Sequence, residues 1–145
     1  MIRLASVQDL HQLVDLAQES FELFETGQFD CQKAEEYIRN VLQEPLTQVC
    51  RLVLTEDNQV VGFLLGRTVS SPLSSKVSGV ECHWYVRKNV ESNKDSFQLL
   101  QEFQGWCQYL QVSEVLVSSG GNPVLERYLR TRGYKPKMTI MVKEL

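Results

Sequence analysis

The sequence predicts an α/β fold in which helices cover a mixed β-sheet, with elements in the order β-α-α-β-β-β-α-β-α-β. Three observations carry this reading. Apolar residues recur at helical spacing in three separate segments, and an Asn-Pro cap with a later Gly marks a fourth helix. Runs rich in β-branched residues and leucine, bounded by turn residues, lie between and around those segments. Three such runs follow one another without a helix, and the later ones alternate with helices. That pattern makes an antiparallel meander followed by a β-α-β unit.

The elements follow in order. Ile2-Arg3-Leu4 alternates as a short strand. Ser6 reads as an N-cap, with Asp9 three residues on as an acidic variant of the capping box. Leu10, Leu13, Val14, Leu16 and Ala17 recur at helical spacing, Phe21 and Phe24 extend the stripe, and the helix ends near Gly27. A second helix spans Cys31 to Leu42 and is stopped by Pro45. Val49 to Thr55 and Val60 to Val69 form a hairpin around the turn Glu56-Asp57-Asn58-Gln59. A polar loop follows, then a strand from Lys76 to Val86. Ser92 to Leu110 is a long helix with Phe97, Leu100, Phe103, Cys107 and Leu110 on one face. Glu114 to Ser118 is a short strand. Asn122 caps a helix with Pro123 at its first position, which runs to Arg132 and stops at Gly133. Met138 to Val142 is expected to be the final strand.

At 145 residues the chain is one domain's worth, and a single domain over residues 1–145 is expected. Hydrophobic residues make up 43% and charged residues 23%, which excludes disordered and coiled-coil classes. No apolar run approaches the roughly 20 residues of a membrane span. Met1-Ile2-Arg3-Leu4 lacks the apolar core of a signal peptide, so a soluble cytoplasmic protein with no membrane partner is expected. Cys31, Cys50, Cys82 and Cys107 form no CxxC pair, and His11 and His83 stand far apart. Zinc-ligand spacing is therefore absent, no metal is expected, and the thiols read as reduced and near the core. The net charge of −3 hides an asymmetry: residues 1–47 carry three basic and nine acidic side chains, residues 122–145 six basic and two acidic. The acidic helices, with Glu19, Glu22, Glu25, Asp30, Glu35 and Glu36, suit a cationic partner or simply solvate helix faces.

The most specific segment is Asn122-Pro123-Val124-Leu125-Glu126-Arg127-Tyr128-Leu129-Arg130-Thr131-Arg132-Gly133-Tyr134. Asn-Pro opening a helix, with Gly-Tyr eleven and twelve positions after the Asn, resembles the GNAT superfamily of N-acetyltransferases, and the resemblance extends to the element order of the whole chain. It implies a GNAT-like fold and transfer of an acetyl group from acetyl-CoA to a primary amine. In this register Asn122 caps the helix and faces the cofactor, and Gly133 takes the left-handed C-cap conformation.

The family's fourth strand ends in an apolar-x-Val, matched by Trp84-Tyr85-Val86. A Gln/Arg-x-x-Gly-x-Gly/Ala loop follows, whose backbone N–H groups cradle the diphosphate at a helix N-terminus. Here Glu91 stands at the Gln/Arg position, and Lys94 and Ser96 at the two Gly/Ala positions. Glu91 and Asp95 add negative charge where a diphosphate sits, while Arg87, Lys88 and Lys94 offset it. Ser92, Asn93 and Ser96 retain capping and hydrogen-bonding capacity. The cofactor loop is thus degenerate.

Amine acetylation needs a group that takes the ammonium's proton. Glu81, on the fourth strand where the family often places such a base, is the candidate, and strand alternation puts His83 on its face with Cys82 opposite. The alternative is a solvated strand pair. The tyrosine that the family uses to protonate the leaving sulfur falls at Leu129; Tyr128, one residue earlier, is either its substitute or a core residue. These departures favour a second reading, a catalytically inactive GNAT-fold protein that acts as a structural or regulatory binding partner. An Asn followed by an aromatic-Leu pair in this helix is similar to short GNAT-like proteins of tailed bacteriophages, some virion-associated, which implies the host cytoplasm or the virion. The expected partner is therefore an amine substrate or a protein, with a homo-oligomer or larger assembly through the edge strand at 138–142 left open. The basic tail of Arg127, Arg130, Arg132, Lys135 and Lys137 lacks the aromatic platform of a nucleic-acid binder, and nucleic acid is disfavoured.

Overall fold

The computed structural model describes residues 1–88, 93–119 and 121–145. The strands are β1 (Ile2–Leu4), β2 (Val49–Glu56), β3 (Gln59–Ser70), β4 (Val77–Val86) and β5 (Glu114–Leu116). The helices are α1 (Leu10–Phe24), α2 (Cys31–Gln43), α3 (Asn93–Tyr109) and α4 (Pro123–Thr131). Strand order in the sheet is sequential; β1 to β4 pair antiparallel, and β5 joins β4 in parallel. This is the mixed α/β architecture expected from the element order.

Each face of the sheet carries its own core. Val49, Val53, Phe63, Leu65 and Tyr85 pack against Leu13, Leu16, Ile38 and Val41 of α1 and α2. Cys50, Leu52, Leu54 and Leu64 pack against Leu99, Leu100, Phe103 and Cys107 of α3, with Leu129 of α4. Strands buried on both faces need near-continuous apolar runs, which is why residues 60–65 show little polar alternation. The β2–β3 turn places Asp57 and Asn58 at φ 48° and 63°, the positive values a tight hairpin turn demands and Asp and Asn tolerate. All four cysteines are free. Burial raises the Cys50 thiol to about 12 and the Cys107 thiol to about 11, so both stay protonated, while Cys31 is exposed rather than packed.

The entry to α1 differs in detail from a simple cap. Val7–Asp9 forms a single 3-10 turn ahead of the helix. Asp9, only 4% exposed, accepts the Ser6 N–H at 2.8 Å and both guanidinium branches of Arg3 at 2.8 Å. The Arg3 hydrogen bonds, ahead of burial acting the other way, hold its carboxyl below the usual value. A depressed carboxyl stabilises the fold above its unfolded-state pKa of about 4, and that contribution is lost as pH falls through the folded value. Asp9→Asn should cost about 2 kcal/mol at pH 7. In denaturant melts the gap between variant and native protein should close below about pH 4; a gap independent of pH would contradict this role.

The expected strand at 138–142 does not form. The sheet ends at β5, and Met138, Ile140, Met141 and Val142 are 71–89% exposed. Alternation marks a segment that suits a sheet, but a strand exists only through a neighbour's hydrogen bonds. The last tie to the body is Lys137 Nζ, 2.7 Å from Glu114, a carboxylate that also takes Lys76 at 2.9 Å and is held down at about 2 by these partners.

Candidate active site

The site is built where β4 departs from regular pairing. Leu65 of β3 opposes His83, but Gly66 opposes Glu81, so Cys82 is an extra residue in a β-bulge. Residues directly opposed across two strands share a face. Leu65 belongs to the α1/α2 core, which places His83 there. A Cβ on Gly66 would meet Phe103 of α3, which places Glu81 on the other face. The bulge thus separates Glu81 from His83, correcting the arrangement that plain alternation predicts. Cys82 instead joins His83: the Tyr37 ring meets the His83 ring edge-on at 5.6 Å, and Cys82 interacts with Arg67 and Tyr37.

The second departure is the short β5. Its pairing with β4 spans only Ser78↔Glu114 to Val80↔Leu116. Beyond Val80 the outer edge of β4 has no strand partner among the described residues, and the Ser118 N–H turns to Glu81 Oε2 at 3.3 Å. The gap opens into a cavity of about 1090 Å³ that carries Glu81, His83, Trp84, Tyr85, Val86 and Asn122 on its wall. Burial raises the Glu81 carboxyl above the ordinary carboxylate value, with the Ser118 N–H pulling it down. Burial lowers the His83 imidazole below its usual value, against the attraction of Glu25, and leaves it neutral at pH 7. The neutral imidazole can accept a proton, and the Glu81 carboxyl can do so in its ionised form. Burial raises the Cys82 thiol, so it is no thiolate nucleophile.

The remaining sequence-predicted residues divide. Ser96 lines the cavity, beside Lys88 and Phe97. Lys94 is exposed, and Asp95 lies in the first turn of α3. Ser92, Glu91 and the Asn93 side chain lie outside the described residues. Arg87 is committed elsewhere: its Nε and Nη2 bond the Glu19 carboxylate at 2.7–3.0 Å. Asn122 Oδ1 accepts the Val124 and Leu125 N–H groups at 3.0 and 3.2 Å, which is the expected N-cap. Tyr128 is not brought to this cavity. Its ring stacks on Phe97 at 3.9 Å, its hydroxyl takes a hydrogen bond from Gln101 at 3.2 Å, and it lines a separate cavity of about 320 Å³ with Tyr134. Leu129 is buried.

Sequence reasoning missed Ser118, whose role depends on the strand splay, and the aromatic lining of Phe21, Phe24, Phe29, Tyr37 and Phe63. The density of aromatics in residues 21–37 was the available signal. The acidic helices are largely spoken for: Glu19 pairs with Arg87, Glu35 with Arg39, Asp30 caps α2, and Glu22 takes a hydrogen bond from Gln18. Among the described residues no group of side chains fit to hold a metal ion is found, and no helix is long and apolar enough to cross a membrane.

No protein-family model matches the chain, and no curated protein matches its sequence. Solved structures do overlay it. The aminoglycoside antibiotic 6'-N-acetyltransferase AAC(6')-IG from Acinetobacter haemolyticus matches at TM-score 0.74 and 14% identity, over 100% of this chain and 99% of that one. The ribosomal-protein-alanine N-acetyltransferase from Brucella melitensis matches at 0.73 and 18%, over 100% and 98%. AAC(6')-Iy, solved in complex with the bisubstrate analogue CoA-S-monomethyl-acetylneamine, matches at 0.78 and 14%, over 100% and 97%. Element order and these full-length overlays agree: the chain has the GNAT acetyltransferase fold.

Proposed function

We propose that the protein transfers an acetyl group from acetyl-CoA to a primary amine. The observation that carries the proposal is the cleft between β4 and β5, with Glu81 on its wall, inside a fold that overlays N-acetyltransferases end to end. The residues fit the group. Trp84 lines the cavity with part of its side chain, while its indole N–H is buried without a hydrogen-bond partner. The free outer edge of β4 offers backbone N–H and C=O groups to an extended amide-bearing arm. Trp84, Tyr85 and Val86 would hold that arm, and the N-terminal turn of α3 up to Ser96, with Lys88 nearby, would face its phosphates. When bound, acetyl-CoA supplies the acetyl thioester. Glu81 takes the proton of the incoming ammonium, and the Ser118 N–H keeps its carboxylate oriented.

The test is release of free CoA thiol from acetyl-CoA, dependent on added amine, with the acetylated amine identified by mass. Production of both supports the proposal; thioester consumption without acetylated amine sinks it. A second reading, a GNAT-fold binding protein without catalysis, is favoured by one observation. Tyr128 lies outside the cavity and Leu129 is buried, so neither serves as the acid for the leaving sulfur. That reading predicts cofactor or partner binding with no amine acetylated.

A further inference from the structure

We infer that the acceptor is an arylalkylamine, one primary ammonium on an aromatic body, and not a polycation. The inference rests on the acetyl-transfer reading of this cavity. Its α1/α2 half is an aromatic chamber. Phe21 and Phe29 pack at 5.6 Å with planes tilted by 55°, and Phe63 and Tyr37 continue the wall up to the His83 ring. Phe24, on the same wall, is 72% exposed at the end of α1. Apolar surface of this kind gains most from an apolar ligand that covers it, and aromatic faces favour another ring.

Charge in the chamber points the same way. Of the acidic side chains on α1, α2 and their connection, only Glu25 lines the cavity. Glu19, Asp30 and Glu35 are held by partners within the chain, and Glu22 is not on the wall. Glu25 and Glu81 are the carboxylates on the wall among the described residues, and Lys88 stands on it as a cation. With Lys88 facing the cofactor's phosphates and Glu81 reserved for the transferred proton, Glu25 is left to pair one ammonium. A second and third cationic group would find no further carboxylate on the wall among the described residues to pair them. The ammonium end goes to Glu81, and the ring lies among Phe21, Phe24 and Phe29.

The experiment uses the full chain with acetyl-CoA and compares phenethylamine and tryptamine with spermidine and neamine, alongside a calorimetric titration of acetyl-CoA. The expected result is a kcat/KM for the arylalkylamines at least about tenfold above that for the polycations. Phe24→Ala removes an exposed side chain and should raise KM for phenethylamine about tenfold with kcat within about twofold. Equal or better turnover of spermidine or neamine overturns the inference and leaves acetyl transfer standing. No turnover of either arylalkylamine by a protein that binds acetyl-CoA also overturns it. A protein that binds no acetyl-CoA overturns both.

Discussion

Glu81→Gln should lower kcat/KM for amine acetylation by a factor of about 10² to 10⁴, the range that removal of a positioned general base produces. The substitution keeps shape and hydrogen bonding. Gln retains a carbonyl oxygen that can accept the Ser118 N–H, now 3.3 Å from Glu81 Oε2, and it fills the same space beside Gly66 and α3. The melting temperature should therefore move little, and acetyl-CoA affinity should stay. Only proton acceptance is lost. The pH profile supplies an independent readout. Burial raises the Glu81 carboxyl above its ordinary value, and the proposed proton transfer requires the ionised form. Activity of the native protein should fall as pH drops through that raised pKa, with a midpoint above the ordinary glutamate value of about 4.3, and the variant should lose this limb. Undiminished turnover in the variant removes Glu81 from the mechanism. Loss confined to a His83→Gln variant would then assign the proton to the imidazole on the opposite face of the bulge.

The largest effect on stability is expected at Phe103. Its side chain is fully buried at the centre of the α3 face, and its ring lies directly over the Gly66 α-carbon. A Cβ on Gly66 would come within 2.4 Å of the Phe103 ring, so the glycine is required for α3 to sit this close to β3. Trp106 packs against the same ring at 5.9 Å. Phe103→Ala should destabilise by about 3–5 kcal/mol, because the void is floored by a glycine that has no side chain to collapse into it. Gly66→Ala alone should also destabilise, by about 1–3 kcal/mol, through overpacking. The double variant should be less destabilised than the sum, since the new methyl occupies part of the space the ring leaves. Strict additivity in urea melts would refute the contact. Because Gly66 opposes Glu81 across the bulge, the same packing holds the site.

The order of elements was legible because each long segment carries one clear period. Leu13, Leu16, Ile38, Val41, Leu100, Phe103 and Cys107 were all read as inward-facing and are buried. Asn122, Pro123 and Gly133 marked the ends of α4 through local chemistry alone, and Gly133 does take φ 87°. What failed depends on partners distant in sequence. The bulge at Cys82 is a property of the β3–β4 register, which alternation within one strand does not contain. Residues 138–142 have a strand's pattern without a neighbour to pair with. The sequence left the acidic cluster open between a surface for a cationic partner and solvated helix faces; Arg87, Arg39 and the α2 N-terminus claim three of its six residues. Tyr128 and Leu129 differ by about 100° around a helix, and the residue nearer the family's tyrosine position is the buried leucine.

The proposed acetyl transfer requires the cleft between β4 and β5 to hold acetyl-CoA, although Lys94 and Ser96 stand where glycine or alanine is usual. Calorimetric titration of the purified chain with acetyl-CoA, and with CoA for comparison, tests it most directly. Saturable micromolar binding of both is the predicted result. No heat of binding at millimolar cofactor would leave the fold standing and contradict the acetyltransferase reading.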